Sequence, residues 1–155
     1  MRSVADWLLE YGESHGNSTN KLLHSICVPL IVVSVIGLLW SIPVPAAFSA
    51  LSPWLNWATV VSALAVVYYL ALSVPLAIGA AIAIVVLYAI ANELRELQWP
   101  LWITSLIIFT GAWIGQFAGH AVEGKRASFF KDVQFLLIGP LWLVAAVYRA
   151  LRIPY

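Results

Sequence analysis

The sequence predicts an all-α fold, a polytopic membrane helical bundle of about five hydrophobic helices plus an N-terminal amphipathic helix. Three observations carry that expectation. Hydrophobic residues make up 63% of the 155-residue chain and charged residues 10%, with a mean hydropathy of +0.93; soluble domains have roughly 45–50% and about 25%. No Lys, Arg, Asp or Glu occurs from Leu22 to Asn92, from Leu97 to Val122 or from Val133 to Tyr148. A charge-free apolar run of ~18 residues or more is a transmembrane candidate. Tryptophans then collect near the ends of those runs, at Trp40, Trp54, Trp57, Trp99, Trp102 and Trp142, where their amphipathic rings anchor spans at the interface.

The elements follow in order. Ser3-Val-Ala-Asp6 resembles a capping box with Asp in place of Glu. Val4, Trp7, Leu8 and Tyr11 then share one face at i, i+3, i+4, i+7. Residues 3–14 are therefore expected to form an amphipathic helix lying on the membrane surface or on the protein itself, ended by Gly16. The polar turn from His15 to Asn20 is rich in residues that bond their own backbone, and Ser18 or Thr19 can cap the first span. That span runs from about Asn20 to Trp40, stopped by Pro43 and Pro45, and a neutral loop follows from Ala46 to Leu55.

The apolar block from Trp57 to Asn92 is too long for one span. Pro75 and Gly79 interrupt it, which gives helices at about 57–72 and 76–92, as a tilted pair or a re-entrant hairpin. A polar loop, Glu93 to Glu96, precedes a fourth span that opens at Trp99-Pro100 and ends near His120. After a charged loop, Glu123 to Asp132, a fifth span covers about Val133 to Arg149, with Pro140 as a kink.

Residues 1–155 are expected to form a single integral-membrane domain with no room for a soluble catalytic module. The formal net charge of +1 argues against a nucleic-acid partner. One cysteine, Cys27, excludes a disulfide within the chain and a thiolate metal cluster. Three acids precede the first apolar run, a poor start for a cleavable signal peptide.

Groups able to do chemistry are few. The only histidines are His15, His24 and His120. Four crossings separate the first pair from the third, and an even number returns the chain to its starting side, so all three are expected on one face. Basic residues give that side: Arg2, Lys21, Lys125, Arg126 and Lys131 with the histidines, Arg95, Arg149 and Arg152 opposite. The positive-inside rule then turns the histidines to the cytoplasm. The membrane would be the inner (plasma) membrane of a bacterium or the endoplasmic reticulum of a eukaryote.

His120 and Glu123 stand three residues apart on a helix and face the same way, with Gln116 one turn earlier. Asn20 and His24 are likewise one turn apart. Paired His and Glu at this spacing recur as metal ligands in helical bundles. Ionisable groups at a membrane rim are functional candidates because burying them is costly. Three imidazoles without thiolate suit zinc, iron, copper or nickel. Zinc would imply hydrolysis by an activated water, whereas iron with three protein ligands leaves three positions for substrate and O2.

Two blocks extend these residues into a pattern. Tyr11-Gly-Glu-Ser-His15, Asn17-Ser-Thr-Asn20-Lys-Leu-Leu-His24 and Cys27-Val-Pro29 form the first. Trp113-Ile-Gly-Gln116-Phe-Ala-Gly119-His120, Glu123-Gly-Lys125, Ser128-Phe-Phe and Phe135-Leu-Leu-Ile-Gly-Pro140 form the second. Together they resemble the 2-hydroxy-fatty-acid dioxygenases of α-oxidation, small polytopic membrane proteins, over nearly the whole chain. Ser18 and Ala127 depart from the pattern, standing where proline is expected.

The resemblance implies an iron(II)-dependent dioxygenase that converts a 2-hydroxy long-chain fatty acid and O2 to the acid one carbon shorter, with release of CO2. The family's histidines match His15, His24 and His120, here expected to hold Fe(2+), with Glu123 a fourth ligand or an orienting neighbour. Tyr11, Asn20 and Gln116 are expected around the metal ligands, and Lys21, Lys125 or Arg126 to attract the substrate carboxylate. An α-hydroxycarboxylate can chelate iron through its hydroxyl and one carboxylate oxygen while its acyl chain stays among apolar helices. Two other classes compete. One is a membrane-embedded zinc-dependent lipid hydrolase, with Zn(2+) on the same residues and Ser14, Ser18 or Ser25, together with Glu123, as helpers. The other is a non-enzymatic transporter or partner protein, against which stands the scarcity of polar groups at mid-span.

Overall fold

The computed structural model describes residues 3–13, 15–124 and 136–155, and seven helices are defined among them. The first, α1 (Val4–Glu13), starts as its sequence requires. The Ser3 backbone N–H donates to Asp6 Oδ2 at 3.0 Å, and the Asp6 N–H donates to Ser3 Oγ at 3.2 Å. Leu8 and Tyr11 are buried and Leu9 is exposed, so the amphipathic helix lies against the protein.

Next, α2 (Ser18–Trp40) is capped by Asn17 rather than by Ser18 or Thr19; the Asn17 side chain accepts from the Thr19 N–H at 2.8 Å. The neutral segment after it contains a short helix, α3 (Ala46–Leu51), where a loop was expected. The long apolar block divides as its length demands, into α4 (Trp57–Leu72) and α5 (Val74–Arg95). The break falls at Ser73, whose side chain accepts from the Leu76 N–H. Pro75 sits in the first turn of α5, where its missing N–H breaks no helical bond. Gly79 is no interruption: a Cβ there would lie 2.6 Å from Val144, so glycine permits close packing.

After the turn, α6 (Leu101–Glu123) returns along α2. Gly37 meets Ser105 near one end of this antiparallel pair, Gly115 meets Cys27 midway, and Gly119 meets Asn20 at the other end. Such small-residue contacts suit helices in lipid, where packing and not apolar burial drives association. Elsewhere α4 and α5 lie side by side, tied by Tyr88 Oη to Asn56 Oδ1 at 2.8 Å and to Thr59 Oγ1 at 2.8 Å. That pairing of the start of α4 with the end of α5 makes them an antiparallel pair crossing the bundle.

The last helix, α7 (Ile138–Ala150), corrects an expectation. Its 13 residues reach only about 20 Å, short of a ~30 Å hydrocarbon core. Near its start, the Leu137 carbonyl accepts from Tyr69 Oη at 2.7 Å; near its end, Tyr148 Oη donates to the Pro75 carbonyl at 2.9 Å. Tyr69 and Pro75 flank the hinge at Ser73, so both ends of α7 meet one end of the bundle. The fifth apolar segment therefore lies across that end and does not cross to the other. Arg149 and Arg152 belong with the histidines and not opposite them. Pro140 lies in the first turn of α7 and does not kink it; residues 133–135 of the expected span fall outside the described residues.

Three helices, α2, α5 and α6, are long and apolar enough to cross a bilayer, and α4 and α7 are shorter apolar helices. Large apolar side chains at mid-helix face outward, among them Leu64, Ile82, Val85, Ile107 and Ile114. Such a surface suits hydrocarbon and not water. Inside, Leu8, Tyr69, Leu76, Ala80, Leu141 and Ala145 seat α1 and α7 on the α4–α5 hinge. Trp142 packs against this cluster.

Candidate functional site

The site forms where α1, the turn after it, α2, α6 and α7 meet. Tyr11 ends the buried stripe of α1, His15 follows in the turn, and His24 lies on the inner face of α2; all three are buried. The His15 Nδ1–H donates to the Tyr11 carbonyl at 2.8 Å. A carbonyl only accepts, so this bond fixes the proton on Nδ1 and leaves Nε2 with its lone pair. His15 Nε2 faces His24 Nδ1 at 3.2 Å, and His24 Nε2 is hydrogen-bonded to the Tyr11 hydroxyl. One residue, Tyr11, thus holds the outer nitrogen of both rings.

His120 completes the group from α6, with its ring centroid 5.8 Å from that of His15. The parity argument therefore holds: residues 15, 24 and 120 share one end of the bundle. Trp142 of α7, expected to be an interfacial anchor, instead packs on the cluster, 5.5 Å from His15 and 5.8 Å from Tyr11. Its hydropathy alone could not reveal this, because the direction of α7 decides it.

Glu123 turns its carboxylate onto the backbone of the turn. Oε1 accepts from the Gly16 N–H at 2.8 Å, while Oε2 accepts from the Asn17 N–H at 2.9 Å and from Asn20 Nδ2 at 3.1 Å. This carboxylate fastens the His15-bearing turn to the end of α6. Asn20 is buried and Lys21 is exposed. Lys125 and Arg126, and Ser14 among the hydrolase helpers, lie outside the described residues. Ser18 is exposed, as is Ser25, which donates to the Leu22 carbonyl at 2.8 Å.

A cavity of about 50 Å³ opens from the cluster. Tyr11, His24, Gln116 and His120 form its polar part, and Val28, Ile31, Trp113, Leu136 and Pro140 its apolar walls. A polar head group beside the imidazoles with an apolar tail among the helices matches that distribution.

The donors can be tested against a metal. Metal–nitrogen bonds of ~2.0–2.1 Å at right or tetrahedral angles put two ligand nitrogens about 3–3.4 Å apart. The facing nitrogens of His15 and His24, at 3.2 Å, meet that requirement. Holding the outer nitrogens is also how imidazole ligands are oriented. His120 stands beside them, and among the described residues no three His, Cys, Asp or Glu side chains yet converge on one point. The donor chemistry, imidazole without thiolate, fits a borderline metal such as iron or zinc.

Fold and site together define a helical membrane protein with a histidine cluster at the head of an apolar cavity. The profile of one family, described as 2-hydroxy-palmitic acid dioxygenase Mpo1-like, matches residues 1–151, and the chain belongs to this Mpo1-like family. It is 30% identical over 133 residues to the 2-hydroxy-palmitic acid dioxygenase MPO1 of Saccharomyces cerevisiae, covering 84% of this chain and 71% of the yeast protein. No solved structure matches the chain.

Proposed function

We propose that this protein is an iron(II)-dependent dioxygenase of 2-hydroxy long-chain fatty acids, releasing CO2 and the fatty acid one carbon shorter. The observation that carries this reading is the meeting of His15, His24 and His120 at the head of an apolar cavity, with Tyr11 bonded to both His15 and His24. The family match and the yeast relative's name point to the substrate class.

The reaction balances without an added reductant: a 2-hydroxy acid and O2 give the shortened acid, CO2 and one water. Four electrons leave the substrate and four reduce O2. His15, His24 and His120 would hold the metal, whose chemistry when bound is the activation of O2. Tyr11 orients two of those imidazoles, and Glu123 fixes the turn that presents one of them. The walls of the cavity exclude water and bind the start of the acyl chain. Lys21, Arg149 and Arg152 at the histidine end, against Arg95 at the other, orient the site toward the cytoplasm.

Metal analysis of anaerobically purified protein, followed by oxygen uptake with 2-hydroxypalmitate, tests the reading. Bound iron, stoichiometric O2 consumption and CO2 release are expected. Bound zinc without O2 uptake would overturn it in favour of a lipid hydrolase. Full activity in His15→Ala, His24→Ala and His120→Ala proteins would exclude this site from either enzyme.

A further inference from the structure

Gln116 lies on α6 one turn before His120 and is only 5% exposed. Its amide is beside the His24 imidazole, and the side chain lines the cavity. Its carbonyl oxygen, Oε1, is buried, with the His24 imidazole beside it and no well-formed hydrogen bond among the described residues. Trp113, one turn deeper on the same helix, also lines the cavity, and its indole Nε1–H is likewise buried without a partner among them.

Leaving such groups unpaired is costly, most of all in a helix bundle surrounded by hydrocarbon. Leu at 116 and Phe at 113 would fill similar space without that cost. Two residues that line the cavity thus carry a buried acceptor and a buried donor, Gln116 beside His24 and Trp113 one turn away, with apolar walls beyond. A plain acyl chain can satisfy neither. A carboxylate has no proton to give Gln116. An alcohol has both functions: its O–H donates to Gln116 Oε1, and its oxygen can accept from Trp113 Nε1–H. In a 2-hydroxy acid the hydroxyl is on the carbon next to the carboxylate, and Gln116 is one turn from His120 on the same helix.

We propose that Gln116, assisted by Trp113, is the specificity-determining residue that reads the substrate's 2-hydroxyl group and selects hydroxylated from plain fatty acids. This rests on the dioxygenase reading for the placement of the carboxylate. A site built to hydrogen-bond a hydroxyl discriminates strongly against the analogue lacking it, because its own polar groups are then left buried and unpaired.

The test is equilibrium binding without oxygen, so that no turnover occurs. Full-length protein in lipid nanodiscs is dialysed against labelled palmitate and labelled 2-hydroxypalmitate. The wild-type protein is expected to bind the hydroxy acid at least about tenfold more tightly. In Gln116→Leu that ratio falls to about one, through weaker binding of the hydroxy acid with palmitate unchanged or tighter. Gln116→Met, closer in shape, gives the same result should the leucine protein fail to fold. Equal binding of the two acids by the wild-type protein overturns the proposal while leaving the dioxygenase reading intact. So does a preference that survives in both variants, or a parallel loss of both acids in both, which marks a purely structural role. If the wild-type protein binds neither acid, both readings fall.

Discussion

Glu123 and Gly16, 107 residues apart in sequence, are joined by a 2.8 Å hydrogen bond from the Gly16 backbone N–H to the Glu123 carboxylate. With the bonds from Asn17 and Asn20, it closes the loop from the first motif block to the second. Glu123→Ala leaves backbone donors without their charged acceptor and is expected to lower stability by about 2 kcal/mol. It also frees the turn that carries His15, so metal affinity falls roughly 10–100-fold without being abolished. Thermal unfolding and metal titration check both; complete loss of metal, equal to that of His24→Ala, would make Glu123 a ligand instead.

Tyr11→Phe keeps the ring that stacks on His15 at a centroid distance of 4.7 Å and removes only the hydroxyl bonded to His24. The expected cost to stability is about 1 kcal/mol. Because the lost bond orients His24, metal affinity and oxygen uptake should fall on the order of tenfold or more. Unchanged oxygen uptake in the variant would remove Tyr11 from the site.

A Cβ at Gly37 would stand 2.1 Å from Ser105 Oγ. Gly37→Ala should therefore destabilise the α2–α6 pair by about 1–3 kcal/mol. Ser105 Oγ is buried without a partner among the described residues, so Ser105→Ala alone should be neutral or stabilising. The double variant should regain most of the loss, a non-additivity that a double-mutant cycle reads directly.

The placement of α7 across the histidine end predicts that the C-terminal residues share a side with the first polar turn. Single cysteines at Asn17, Glu96 and Tyr155, in a Cys27→Ser background, should label with an impermeant maleimide in two classes. Positions 17 and 155 should react together and position 96 from the opposite side. Labelling of 155 with 96 would restore a fifth crossing.

Much of this protein was legible from residue order alone. Charge-free runs set the number of apolar helices, because hydrocarbon excludes charge whatever the neighbours. The break near Pro75 follows from length, and from it the parity that gathers the histidines. The capping box at Ser3 and the buried stripe of α1 are local patterns, and both are found. His15, His24 and His120 were identifiable as the scarce ionisable groups, with Gln116 a neighbour of His120 by helical spacing and Tyr11 placed near them by the motif that carries the resemblance.

Other features depend on contacts that no local pattern encodes. Hydropathy gives α7 its helix but not its direction; bonds to Tyr69 and Pro75, distant in sequence, lay it across the bundle. Trp142 reads as an interfacial anchor until that direction carries it into the site. The spacing of His120 and Glu123 gives a shared helix face but cannot say whether the carboxylate turns to a metal or to the Gly16 backbone. The sequence by itself determined the apolar helices and the break that brings the histidines to one end of the bundle, since both follow from local transfer energies. Tertiary structure decided which side chains meet there, since that depends on how helices far apart in sequence pack.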